Sequence, residues 1–173
     1  AVVRQSSLRT QARRACLTGA LALDQSPTFV APAPGQQPDP NRAYQMFPVL
    51  SAVDILRVQR FGEPRSFADG EYLIQAGDKS RGLFLLVQGH VDVRQRDGLG
   101  RTVPYHHYAP GEFLAEAGTL YGGASLVDAQ AIGAVEGFLV VPDQLRALII
   151  AEADLGERIM RALILRRVSL IQA

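Results

Sequence analysis

The sequence predicts a mainly β domain with flanking helices, of the sandwich, jelly-roll or barrel kind. From Arg65 to Val141, apolar and polar residues alternate in short runs, which is the period of half-buried strands. Glycine and proline separate these runs at intervals that suit turns. At Pro142 the period changes to that of a helix. We therefore expect a barrel over about 65–141 and C-terminal helices over 142–172.

Length, composition and charge narrow the class of protein. The 173 residues suffice for one domain with a core and appendages. A formal net charge of +1 gives no global field that would attract nucleic acid or anionic lipid. The single cysteine, Cys16, excludes a disulfide scaffold and a cysteine-rich zinc site, and it fits a reducing compartment. No apolar run approaches the roughly 18 residues that span a membrane, so we expect a cytoplasmic protein without membrane contact.

Residues 1–40 are predicted to be an N-terminal extension and linker, and 41–173 the folded domain. Arginines precede a short apolar stretch near the N-terminus, a pattern similar to an export signal. Because that stretch is short and contains Thr18 and Gly19, we favour a short amphipathic helix or a frayed extension. Five prolines within 26–40 exclude a helix and indicate an extended linker.

Two helical segments are predicted before the strands. Residues 41–46 can form one helical turn. Ser51 is a candidate N-cap for a helix over 52–60, which Gly62 and Pro64 would stop.

The strands are predicted from alternation, and each glycine is interpreted as the point where one strand ends and the next begins. Asp97-Gly98 is a hairpin signal, lengthened by Leu99-Gly100. Near the end of the barrel, 129–132 and 137–141 are predicted as two separate strands. The earlier alternating runs lie at 72–74, 83–87, 91–93 and 105–107.

After Pro142 we expect a helix over 143–152 and a second over 155–170, or one long helix bent near Gly156. Its apolar band is too wide to face water, so it should pack on the barrel, on a second copy of the chain or on a further domain. We expect a homodimer through this helix. One apolar stripe at helical spacing consists of Met160, Ile164, Val168 and Ile171, and a solvated face is predicted for Arg158, Arg161, Arg166 and Arg167.

The stretch Gly111-Glu112-Phe113-Leu114-Ala115-Glu116, with the glycine-punctuated segments 67–78 and 82–93, resembles the cyclic nucleotide-binding domain of CRP/FNR regulators and cAMP-dependent kinases. The resemblance covers about 47–170 and implies a jelly-roll barrel (a double-stranded β-helix) with N-terminal helices and a long C-terminal helix. It implies that Glu116 accepts a hydrogen bond from a ribose hydroxyl while backbone amides bind a cyclic phosphate. The ligand-binding residues that it implies are Ala115, Glu116, Ala117, Gly118, Ser125 and Leu126.

The chain departs from this family at Ala115, where the family has glycine, and at the phosphate-binding arginine. Where the family reads Pro-Arg-Ser/Ala-Ala-Thr, an alignment on Ala129-Gln130-Ala131 places Ser125 at the arginine, and no arginine occurs between Arg101 and Arg146. Arg81, Arg101 or a partner chain could supply the missing charge; otherwise the ligand differs or the pocket is vestigial. The ligand is expected to be a cyclic nucleotide or another small anion, and an inward-facing Asp128 would oppose it.

Metal and catalytic sites are not predicted. His106 and His107 point to opposite faces of an extended strand, so they cannot easily share an ion with Glu112. Ser125 has no evident base partner, and no phosphate-binding loop, dinucleotide fingerprint or Cys-x-x-Cys occurs. We expect no enzyme activity in this chain.

Two short stretches, 125–129 and 155–168, are similar to those of bacterial fusion proteins that join such a domain to a thioredoxin-reductase-like module. This resemblance implies that FAD and NADPH would act only in a downstream module, and that this chain would be the regulatory half. Because the chain stops at Ala173, we expect no helix-turn-helix and no direct DNA binding. The alternatives are a ligand-free dimerisation module and a truncated CRP/FNR regulator.

Overall fold

The structure is a computed structural model that describes residues 40–172. The predicted extension therefore lies almost wholly outside the described residues, and the division at residue 40 stays a prediction. Helices α1 and α2 precede six strands, a 3-10 helix separates β5 from β6, and α3 and α4 follow. Their bounds are α1 Pro40–Met46, α2 Ala52–Gln59, β1 Glu63–Phe67, β2 Tyr72–Ile74, β3 Leu83–Arg96, β4 Thr102–Tyr108, β5 Phe113–Leu114, the 3-10 helix Ala117–Leu120, β6 Val127–Val140, α3 Pro142–Ala151 and α4 Ala153–Gln172.

The strands form one antiparallel sheet in which β6 and β3 are the central pair. The hydrogen-bonded path runs β1-β6-β3-β4, with β2 also on β6 and β5 also on β3. The hairpin between β3 and β4 turns at Asp97, whose carboxylate accepts hydrogen bonds from the backbone N–H groups of Leu99 and Arg101. The predicted hairpin and the mainly β architecture with flanking helices are thereby confirmed.

The prediction that every glycine ends a strand is wrong at three positions, Gly89 in β3 and Gly133 and Gly137 in β6. β3 continues through Gly89 and β6 through Gly133, although both glycines adopt a positive φ, of 85° and 71°. The β3–β6 register shifts around Gly89 instead. A residue with positive φ inside an antiparallel pair forms a bulge that bends the strand without ending it. The two strands predicted over 129–132 and 137–141 are therefore one.

Two apolar clusters cover opposite faces of the sheet, and β3 contributes to both. Leu83 and Leu85 belong to a helix-side core, with residues of α2, α3 and α4. Phe84 and Leu86 belong to a sheet core, with residues of β4, β5 and β6. Because both faces are covered here, the four apolar residues are consecutive, as in strands buried on both sides.

The helices begin within two residues of the predicted positions. The Ser51 side chain accepts a hydrogen bond from the Asp54 N–H, which confirms the N-cap of α2. Two C-terminal helices form, and the break lies at Glu152 instead of Gly156. Gly156 lies inside α4, where an added Cβ would lie 2.7 Å from the Ile149 carbonyl oxygen. The glycine therefore lets α3 and α4 approach each other closely.

Among residues 40–172, none of the helices has both the length and the apolar character that crossing a membrane requires.

Candidate functional site

A loop closed by its own backbone joins β5 to β6. The 3-10 helix follows Glu116, and the chain then turns so that the Gly123 N–H donates to the Gly118 carbonyl. The loop is tied to the neighbouring segment by a 2.5 Å hydrogen bond between the hydroxyls of Ser80 and Thr119. A bridge between Lys79 and Ala124 adds a backbone tie. The segment around Glu116 is therefore fixed on both sides.

The Glu116 carboxylate is buried and holds the two ends of this loop together. Its Oε1 accepts a 2.5 Å hydrogen bond from the Ser125 hydroxyl, and both its oxygens lie within 3.2–3.3 Å of the Leu126 backbone nitrogen. Ser125 Oγ in turn accepts from the Val127 N–H. Charge-assisted hydrogen bonds of this kind are stronger than neutral ones. In this conformation Glu116 therefore joins the two ends of the loop through hydrogen bonds.

The sheet core contains a small cavity next to Glu116. Its volume is about 20 Å³, enough for about one water molecule and far below that of a nucleotide. Strands, loop and α4 all contribute to its wall, which is mostly apolar and aromatic. The lining residues are Ile74, Val93, Tyr105, Tyr108, Leu114, Ala115, Glu116, Val127, Ala129, Arg166 and Leu170.

Only part of the predicted ligand-binding set faces this cavity. Ala115 and Glu116 line it, whereas the other four residues do not. Ala117 and Gly118 form the 3-10 helix, Ser125 is buried against Glu116, and the Leu126 side chain is partly exposed. Most of the predicted set therefore belongs to the loop and does not line the cavity.

Arg166 is a residue of the site that was not predicted, and its predicted place on a solvated helix face is wrong. The side chain is 1% exposed and lines the cavity from α4. Its Nε donates to the Met46 carbonyl at 2.8 Å, and its Nη1 lies 2.9 Å from the Phe113 carbonyl oxygen and 3.3 Å from that of Ala115. The helical spacing from Leu155 and Ile159 places position 166 on the buried face, which is the signal that could have found it.

Aromatic rings surround the guanidinium, and no carboxylate among the described residues lies at ion-pair distance from it. Its central carbon lies 4.7 Å from the Phe113 ring centre, 5.1 Å from that of Phe47 and 5.5 Å from that of Tyr108. Burial raises the pKa of Tyr108 and of Tyr105, so both phenols are neutral at neutral pH. The cation is thus held by carbonyls and π faces.

The other charged candidates lie elsewhere. Arg101 pairs with Asp97 in the hairpin, and Arg81 is exposed; neither lines the cavity. Asp128 does not face the cavity either, because its carboxylate accepts a 2.8 Å hydrogen bond from the Ala76 N–H. The expectation that Arg81 or Arg101 replaces the missing arginine therefore has no support in this geometry.

The two adjacent histidines bind different carboxylates. His106 Nε2 lies 3.2 Å from Glu112, and His107 Nδ1 lies 2.5 Å from Asp92. Burial alone would raise the pKa of Glu112, but hydrogen bonds from His106 and the Ala109 N–H outweigh it and leave that pKa below its usual value. The histidine–carboxylate contacts fasten β4 to its neighbours.

Comparison with known families decides where the chain belongs. The family model described as "Cyclic nucleotide-binding domain" matches residues 64–152, which is just over half of the chain. This chain belongs to the cyclic nucleotide-binding domain family. The matched residues include β1 except its first residue, β2 to β6 and the Glu116 loop of this domain. No curated protein sequence gives a significant match.

Solved structures share the fold of this domain at low sequence identity. Thermus thermophilus catabolite activator protein superposes with a TM-score of 0.61 at 22% identity, over 72% of this chain and 58% of that one. The c-di-GMP responsive global regulator CLP of Xanthomonas campestris gives 0.58 at 18% identity, over 70% and 59%. The N-terminal domain of a Streptomyces coelicolor transcriptional regulator gives 0.54 at 18%, over 72% and 89%. This confirms the predicted jelly-roll fold, and the domain spans little more than half of the two full regulators.

Proposed function

We propose that this domain is a small-molecule-sensing regulatory domain of cyclic nucleotide-binding type, with a phosphate-binding loop that lacks the usual arginine. The observation that carries the proposal is the hydrogen-bonded loop around buried Glu116 beside a cavity closed by α4. Ligand entry would move α4, and this movement would transmit the signal from this domain to its partner. The ligand-binding set is Ala115, Glu116, Ala117, Gly118, Ser125 and Leu126.

The missing arginine sets an expectation for affinity. A charged hydrogen-bonded pair on a buried phosphate is worth about 2–5 kcal/mol when truncated, and about 1.4 kcal/mol corresponds to tenfold in affinity. A family-like micromolar affinity for a cyclic nucleotide would therefore weaken towards millimolar, unless another cation replaces the arginine.

Calorimetric titration of cAMP and cGMP tests the sensor function. Glu116→Gln removes the buried negative charge at nearly constant volume, and Glu136→Gln is the matched control on the exposed face of β6. We expect wild-type binding that weakens about tenfold or more in Glu116→Gln and is unchanged in Glu136→Gln. The absence of heat at millimolar nucleotide would remove the cyclic nucleotide role.

A ligand-free interaction module is the second candidate, and the small cavity favours it. In that case the barrel only presents α4, whose apolar Ile164, Val168 and Ile171 are exposed. These residues repeat at helical spacing, and a stripe of this kind can pair with its copy across a two-fold axis. The partner in this proposal is a second copy of the chain, giving a homodimer through α4.

The proposed output is a downstream thioredoxin-reductase-like module that uses FAD and NADPH, with none of that chemistry in this domain. Support comes only from the two stretches 125–129 and 155–168, and a cytoplasmic location and the lack of direct DNA binding are proposed with it. NADPH oxidation by the full-length protein, measured with and without a ligand that binds the domain, tests it. A rate unaffected by a bound ligand would contradict it.

A further inference from the structure

We propose that Arg166 of α4 is the anion-binding residue of this domain and that its ligand is a small organic monoanion with an apolar body. The inference rests on the proposed sensor function and names the group that recognises the ligand. It assigns the anion contact to the C-terminal helix, whereas the family resemblance assigns it to the loop over 115–126.

The hydrogen-bond inventory of Arg166 leaves one nitrogen for a ligand. A guanidinium carries five N–H donors. Nε and Nη1 are directed to the carbonyls of Met46, Phe113 and Ala115. Nη2 is buried without an acceptor anywhere in residues 40–172. Because buried donors are nearly always paired in native proteins, the two Nη2 hydrogens require an acceptor that residues 40–172 do not supply. A ligand in the cavity would supply it.

The charge of Arg166 also indicates an anion in the cavity. Within the described part of the chain, no carboxylate lies at ion-pair distance from Arg166. Glu116 lines the same cavity, but its oxygens are directed to Ser125 and Leu126. Glu112 is near enough for the Arg166 charge to contribute to lowering its pKa, but its hydrogen bonds go to His106 and the Ala109 N–H. An anion bonded directly to the guanidinium would offset part of the cost of burying this charge.

The lining of the cavity defines the rest of the ligand. Tyr105, Tyr108, Leu114 and Leu170 offer aromatic and aliphatic surface, which suits an apolar or aromatic body. The Glu116 carboxylate disfavours a ligand with two negative charges. It can accept a hydrogen bond from a ligand hydroxyl. A cyclic phosphodiester and an aromatic carboxylate both meet this description, since each carries one negative charge.

Binding would move the end of α4. At about 20 Å³ the cavity must enlarge to admit either molecule, and Arg166 and Leu170 are its only lining residues on α4. Arg166 also bonds this helix to the carbonyls of α1 and β5. An anion that draws the guanidinium away from these carbonyls would therefore change the position of the helix carrying Ile164 and Val168.

The test uses two charged probes with neutral counterparts on the wild-type protein: cAMP against adenosine, and benzoate against benzamide. We expect at least one anion to bind, and its neutral counterpart to bind about tenfold or more weakly. Binding of cAMP would identify a phosphodiester ligand, and binding of benzoate a carboxylate. Neutral probes that bind as tightly as the anions would overturn the inference and leave the sensor function standing.

Two substitutions on α4 test whether the anion contacts Arg166. Arg166→Gln should weaken the bound anion about tenfold or more, and Arg167→Gln, the next arginine on the same helix, should not. Unchanged binding in a folded Arg166→Gln protein would overturn the inference. If that variant fails to fold, the comparison of charged and neutral probes on wild type decides. If none of the four probes binds wild type, the proposed function fails, and the inference fails with it.

Discussion

Buried polar groups in the Glu116 loop satisfy one another, and Ser125 is the central one. Its hydroxyl donates to Glu116 and accepts from the Val127 N–H, although the side chain is only 4% exposed. In the alignment on Ala129-Gln130-Ala131, Ser125 stands where the family carries its phosphate-binding arginine. A residue expected to bind ligand thus contributes to the internal cohesion of the loop.

Ser125→Ala tests this role. The substitution leaves a buried carboxylate with one donor fewer, so the free energy of unfolding should fall by about 1–3 kcal/mol. Ser66→Ala, on the exposed strand β1, is the matched control and should change it by less than about 0.5 kcal/mol. Urea denaturation of the three proteins measures the difference. Equal stabilities would mean that the hydroxyl does not support the loop.

Arg166 shows why one part of the site was beyond the sequence analysis. Its spacing from Leu155, Ile159 and Ala162 is visible in the sequence, but an arginine in that register usually extends to water along its aliphatic stem. Burial follows only because carbonyls of Met46, Phe113 and Ala115 converge there. These carbonyls come from distant parts of the chain, so periodicity alone could not place them.

At the scale of elements, the sequence predicted those boundaries of helices and strands that depend on residues close together in the chain. The N-cap at Ser51, the hairpin at Asp97 and the helix start at Pro142 depend on neighbouring residues, and all three are observed. The continuity of β3 and β6 depends on pairing between strands far apart in sequence. For that reason Gly89 was interpreted as a strand end although it forms a bend within a strand.

Gly137 in β6 gives a prediction at this scale. A Cβ there would lie 2.1 Å from the Leu85 carbonyl oxygen and 2.6 Å from the Phe84 ring, so the two central strands could not keep their distance. Gly137→Ala should lower the free energy of unfolding by about 1–3 kcal/mol or more.

Gly98→Ala in the hairpin is the matched control, because nothing lies within 4 Å of its added Cβ and its φ is not positive. Thermal denaturation of both variants measures the effect. A Gly137→Ala protein as stable as Gly98→Ala would show that the close approach of β3 and β6 is not required.

At the scale of the whole molecule, α4 is bound to the rest of the domain at both ends by different chemistry. Near its start, Arg158 pairs with Asp54 of α2, and Arg57 of α2 binds Glu152 and Asp154. Hydrogen bonds from Arg57, the largest cause, lower the pKa of Asp154 to about 2. Near the other end the Arg166 hydrogen bonds and the packing of Leu170 against the sheet core hold it. The start of α4 is thus a fixed point, and its last turns are the part that a ligand would move.

The exposed stripe on those last turns carries the final prediction. Met160 of the predicted stripe is partly buried against the helix-side core, whereas Ile164, Val168 and Ile171 are 56%, 45% and 65% exposed. If the stripe pairs with its copy, Ile164→Glu places two charges in an apolar interface. We expect the dimer dissociation constant to rise about a hundredfold, equivalent to about 2.8 kcal/mol.

Sedimentation velocity over a range of concentrations measures this constant. Ile150→Glu is the matched control, because Ile150 on α3 is 82% exposed and lies outside the stripe. Dimers of wild type and of Ile150→Glu, with monomers of Ile164→Glu, would place the interface on α4. A wild-type protein that sediments as a monomer at all concentrations would exclude the homodimer. The stripe would then be the surface through which movement of α4 reaches a partner of another kind.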